Sequence, residues 1–248
     1  MFHNFFNHVT TWKIYVLKLI KWGCLFHLLF ISQSLNASIV IWPTNLVMEQ
    51  NEKSVILRLE NRGNQPVVLQ MRIYQWTQVN GEEQLLPQQN VIGSPPMMTI
   101  ASGSQQIVRI INKKTALANE ELTYRLVLDE IPTQPKGQQG VNFQMRYSLP
   151  LFIYGAGLKH NVIDENVQND LSWRFVNSKG NKWLEFNNQG NTHLHLSHID
   201  MNQKTAGLLS TYVLPHSVIR LKVNNTLNEP SQLTMTINGQ KSYTVKKR

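Results

Sequence analysis

From Ser54 onward the chain alternates apolar and polar residues with a period of two, and helical periodicity is scarce. Val55, Leu57 and Leu59 alternate with Ser54, Arg58 and Glu60, and Val67, Leu69, Met71 and Ile73 line one face of the next run. Residues 105–111 and 122–131 read as further strands. Between them stand turn signals: Asn61-Arg62-Gly63-Asn64, Asn80-Gly81, Ser94-Pro95-Pro96 and Ser102-Gly103. Beyond Gly155-Ala156-Gly157, a hinge with little steric restriction, a second series begins. It comprises 171–175, 182–186, 192–196, 218–223 and 233–237, with turns at 187–191 and Asn238-Gly239. Short strands at this spacing predict two antiparallel β-sandwiches, residues 38–156 and 157–248.

Residues 141–153 carry the longest alternation. Val141, Phe143, Met145, Tyr147, Leu149, Leu151 and Ile153 are apolar, and Asn142, Gln144, Arg146 and Ser148 are polar between them. Thirteen residues are about twice the usual strand length. One reading is an ordinary core strand of the first sandwich. The other is a strand that completes a partner's sheet, because an unpaired edge is a template for another chain. Burial of Val141, Phe143, Met145 and Tyr147 in a partner would contribute about 6–12 kcal/mol before ordering costs.

The amino terminus breaks the pattern. Residues 1–37 hold Lys13, Lys18 and Lys21, no Asp, Glu or Arg, and then the apolar run 25–31 and a small residue, Ala37. This order predicts a secretory signal peptide, residues 1–37; the lysines interrupt the stretch that a spanning anchor, the alternative, would need. Its removal takes the formal charge from +9 to +6 and discards Cys24, the single cysteine. The exported chain then depends on its apolar core, for which a 42% apolar composition suffices.

Little catalytic chemistry survives inspection. His193, His195 and His198 form a His-x-His-x-x-His cluster, and on a strand the first two share a face, but no carboxylate or cysteine cluster accompanies them. No metal site, cofactor or enzymatic function is expected. A nucleophile elbow, a Walker loop and a dinucleotide fingerprint are all missing. The basic residues are scattered except for Lys246-Lys247-Arg248, which disfavours nucleic-acid binding.

Over residues 38–248 the chain resembles the periplasmic chaperones of chaperone–usher pilus assembly. The resemblance rests on Asn51-Glu52-Lys53-Ser54, Ser94-Pro95-Pro96, Ile107-Val108-Arg109, Leu128-Asp129-Glu130-Ile131-Pro132 and Leu151-Phe152-Ile153-Tyr154, in the family's order. Residues 188–193 and 213–216 match more loosely. The resemblance implies two immunoglobulin-like domains in an L-shape, with pilin subunits and an outer-membrane usher as partners, and leaves self-association of the free chain open. It also implies a periplasmic location in a Gram-negative bacterium, with no stable membrane insertion after signal removal. Its donated strand falls on Val141, Phe143, Met145, Tyr147 and Leu149. The cations that usually anchor the pilin carboxylate are replaced by Asn45 and Pro150, which implies the archaic or alternative branch. A hairpin centred near residue 136 sets Arg125 opposite Tyr147 and makes it the first anchor candidate, before Arg109, Arg72 and Arg146. The rival reading from another class is a secreted structural or adhesive β-sandwich of a surface fibre.

Overall fold

The computed structural model describes residues 39–132, 144–160, 167–201, 204–205, 210–226, 229–240 and 242–247. They form almost only β-structure, as two sandwiches of immunoglobulin-like type.

In the first sandwich, one sheet runs β1 (Ile39–Trp42), β3 (Ser54–Asn61), β8 (Gln105–Asn112) and β6 (Val91–Ser94). The opposing sheet runs β2 (Leu46–Met48), β10 (Arg146–Tyr154), β9 (Glu121–Ile131), β4 (Val67–Val79) and β5 (Glu82–Leu86), with β7 (Met97–Ile100) also on β4. The first extended segment therefore changes sheets. Pro43, which has no backbone N–H to give to the ladder, ends β1, and β2 then pairs in parallel with β10. Leu57, Leu59, Leu69, Val108, Ile110, Leu126 and Leu151, all fully buried, fill the space between the sheets.

The second sandwich opposes β11 (Leu171–Ser178), β12 (Asn181–Asn188) and β16 (Ser217–Val223) to a second sheet. That sheet runs β14 (Lys204–Thr205), β13 (Leu194–Met201), β17 (Gln232–Ile237) and β18 (Ser242–Lys246), with β15 (Thr211–Val213) pairing β13. A one-turn helix, α1 (Val167–Asp170), precedes it. Its core centres on Trp173, Leu184, Phe186, Leu196 and Ile237.

Strand β4 is itself thirteen residues long. It buries Leu69 and Met71 in the sandwich, then turns Trp76 and Gln78 on its opposite face toward the second domain. Trp76, Phe152, Tyr154 and Leu214 form a third apolar cluster there, with Tyr212 and Leu158 at its edge. Gln78 pins the same place, donating through Nε2 to the Tyr212 carbonyl at 2.7 Å and accepting from the Leu214 N–H at 3.0 Å. The Asn80-Gly81 turn has positive φ at both residues, 57° and 86°, as a tight primed hairpin turn requires. Its Gly81 carbonyl accepts from the Arg220 N–H at 2.9 Å. A Cβ at Gly81 would lie 2.7 Å from Arg220 Cδ, so glycine also permits this approach.

Candidate functional site

Strand β10 has an incomplete outer flank. Its ladder with β9 runs the whole way from Arg146 to Tyr154, whereas β2 pairs only with Leu151, Phe152 and Ile153. Among the described strands, residues 146–150 are therefore flanked by β9 alone. Exposure grades along this stretch: Met145 is 47% exposed, Tyr147 is partly buried against the core, and Leu149 is 8% exposed. Leu149 thus belongs to the chain's own core, and the outward apolar face ends before it. Val141 and Phe143 lie outside the described residues.

The register of β9 and β10 differs from the expected one. Arg125 faces Pro150, and Tyr147 faces Leu128. The physical reason is parity, since a shift by an odd number of residues turns every side chain to the other face. Only the observed register places Leu126 with Leu149, Tyr124 with Leu151 and Leu122 with Ile153, all inside the core. Arg125 consequently leaves the core face for the face shared with Trp76 and Phe152. Its guanidinium carbon lies 3.6 Å from the Trp76 ring centroid and 5.3 Å from that of Tyr212, with Glu83 at 3.8 Å. The side chain is 14% exposed. Burial pulls its pKa below the ordinary value, opposed by Glu83 and Tyr212, but a guanidinium starts so high that the charge stays.

The other three arginines are placed elsewhere. Arg72 and Arg146 both bond the Asp129 carboxylate. Burial works against the Asp129 charge, but those two hydrogen bonds prevail and hold its carboxyl below the usual range. Arg109 is exposed on the opposing sheet, between Ile56 and Ser94 in the ladder. Arg125 alone of the four candidates reaches the junction of the two sandwiches.

That junction also holds residues with little signal in sequence. Glu121, at the start of β9, has a fully buried side chain. Its carboxylate accepts from the His193 N–H at 3.1 Å and 3.2 Å and lies 3.0 Å from His193 Nδ1. The His193 ring stacks on Phe152, with centroids 3.5 Å apart and planes 6° apart. His193 is therefore a junction residue, tied to a carboxylate 72 positions earlier. Among the described residues, no group of three His, Cys, Asp or Glu side chains is arranged to hold a metal ion. Tyr154 lies beside this pair, and burial, reinforced by Glu121 and Glu49, pushes its phenol well above the ordinary value. His160 is lowered by burial and then by His193, against Glu49 and Glu121.

A cavity of about 180 Å3 opens at the same place, lined by Asn45, Tyr154, Lys159, His160, His195 and Tyr212 among others. No Asp or Glu lines it. Its walls offer hydrogen-bond donors and the basic side chain of Lys159, which suits an anionic group more than a cation.

The first sandwich thus offers an open strand edge, and the junction of the two immunoglobulin-like sandwiches a small crevice without an acidic lining. Residues 38–159 match the family described as pili and flagellar-assembly chaperone, PapD N-terminal domain. The chain is 31% identical over 156 residues to the probable fimbrial chaperone YehC of Escherichia coli (strain K12), covering 59% of this chain and 63% of that one. The probable fimbrial chaperone YadV of the same organism is 27% identical over 167 residues, covering 63% and 65%. The chain thus spans somewhat less than two thirds of the length of these curated relatives. A solved chain from the CsuC–CsuE chaperone–tip adhesion subunit pre-assembly complex, from the archaic chaperone–usher Csu pili of Acinetobacter baumannii, superimposes with a TM-score of 0.72. It shares 28% identity and covers 86% of this chain and 100% of that chain.

Proposed function

We propose that this chain is a periplasmic chaperone, exported by a cleaved signal at 1–37, that holds pilin subunits by strand donation and passes them to an outer-membrane usher. The observation that carries the reading is the one-sided flank of β10 over residues 146–150, next to exposed Met145. A pilin strand added there gains main-chain hydrogen bonds with little demand on its sequence, and alternate side chains supply the fit. The likeness to a chaperone solved with a tip subunit of archaic pili supports both the holding role and the archaic branch. The work is holding and transfer, without chemistry on the subunit.

Phe143 and Met145 carry the main apolar contacts of the lent strand. Changing both to aspartate is expected to abolish co-purification of a co-expressed pilin while leaving the melting transition of the chaperone in place. Normal recovery of pilin with the double variant would refute the strand assignment.

Arg125 anchors the subunit's terminal carboxylate. It is charged, largely shielded and set between two aromatic rings, and a carboxylate leaving water needs such a partner. Arg125→Ala is expected to weaken pilin binding at least ~10-fold, about 1.4 kcal/mol. An unchanged affinity by calorimetry would remove Arg125 from the site and return the role to Arg109, Arg72 or Arg146.

A further inference from the structure

We infer that His195 completes the anion seat begun by Arg125, so that a terminal carboxylate entering the junction is taken up together with a proton. The inference rests on the holding function proposed above and deepens it.

The two residues come from different sandwiches and meet on one ring. Arg125 projects from β9 to 5.3 Å from the Tyr212 centroid, and His195 from β13 stacks on Tyr212 at 4.4 Å and 21°. His195 also lines the small cavity, whose wall holds no carboxylate. The acids nearby are already engaged: Glu121 with His193, Glu49 with the His160 N–H at 3.0 Å, and Glu83 with Arg125 at 3.8 Å. A carboxylate arriving from outside thus finds an acid-free wall holding Lys159, with Arg125 on the ring of Tyr212 beside it.

His195 is also built to change its charge. Its Nε2 lies 2.8 Å from Ser210 Oγ. A hydroxyl donates to a neutral imidazole nitrogen and accepts from a protonated one, so this bond survives either state. The groups facing His195 are His193, Arg125 and Tyr212, with Tyr154, Lys159 and His160 around the same cavity. Burial, then His193, then Arg125 lower the His195 pKa, so the free chain holds it neutral at neutral pH. A carboxylate placed beside it favours the charged form and raises that value. Binding then takes up a proton between the free and the bound pKa, and affinity falls as pH rises through the bound value.

The test uses an alternating apolar–polar peptide of about twelve residues with a free carboxyl terminus, and the same peptide amidated. Calorimetry in two buffers of different ionisation enthalpy measures proton uptake by the intact chain. The free acid is expected to bind about tenfold more tightly near pH 6 than near pH 8, with net proton uptake, and the amide to show neither. H195Q is expected to lose the pH slope, while H198Q, an exposed histidine on the same strand, keeps it. Equal behaviour of acid and amide, or no proton uptake, overturns the inference and leaves the holding function standing. Failure of the free acid to bind at any pH would instead count against the holding function itself.

Discussion

Glu121→Ala is expected to destabilise the protein by about 3–5 kcal/mol, the range found when one partner of a buried, hydrogen-bonded pair is removed. The buried carboxylate satisfies both the main-chain N–H and the ring nitrogen of His193, and nothing in an alanine replaces it. The loss falls on the contact between the sandwiches, because Glu121 begins β9 in the first and His193 directly precedes β13 in the second. Chemical denaturation should therefore show an early transition, and protease should cut faster in the connecting segment around residues 155–160. Glu121→Gln keeps the shape and one acceptor oxygen, so a smaller loss is expected. A denaturation midpoint for the alanine variant equal to that of the native chain would mean that Trp76, Phe152 and Leu214 hold the junction without the pair.

The second large effect is expected at Asn188. Its side-chain amide donates to the carbonyls of Thr192 at 2.8 Å, Val213 at 3.1 Å and Leu214 at 3.1 Å, while its oxygen accepts from the Gly190 N–H at 2.9 Å. The residue is 1% exposed, so water cannot take over these roles. Asn188→Ala is expected to cost about 3 kcal/mol, since buried groups left without partners cost about 1–3 kcal/mol each. Asn188→Asp should be worse at neutral pH, because a carboxylate would face three carbonyl oxygens. Thermal melts of the two variants, side by side, check the order; an aspartate variant as stable as the alanine one would contradict the donor role. The first sandwich repeats the device on a smaller scale. Asn61 donates to the carbonyls of Gln65 at 2.7 Å and Ile100 at 2.9 Å and accepts from the Gly63 N–H at 2.9 Å.

Both asparagines sit in an Asn-x-Gly-Asn sequence, and both turns are legible in it. An asparagine side chain bonded two residues ahead is a local event, encoded within a few positions. The same holds for the alternation of Val55, Leu57 and Leu59 or of Leu233, Met235 and Ile237, which end in the two cores. The covering of the outer faces was not legible. Trp76 and Phe152 read as the far side of an alternating strand, and only the second domain makes that side an interior.

The candidate site divides the same way. That Arg125 is the first anchor candidate followed from its place in the strand, but the face it occupies hangs on the parity of the β9–β10 pairing. Parity is decided by which register buries Leu122, Tyr124 and Leu126 together with Leu149, Leu151 and Ile153. Glu121 read as an unremarkable acid at a strand's edge, and His193 as one member of a histidine cluster. Their contact joins residues 72 positions apart. By itself, then, the sequence determined two β-sandwiches, their turns and a strand with an apolar face, since each depends on neighbours within a few residues. The tertiary structure alone decided the register of Arg125, the buried Glu121–His193 pair and the acid-free cavity beside them. Those depend on which distant surfaces exclude water together, and no local pattern carries that information.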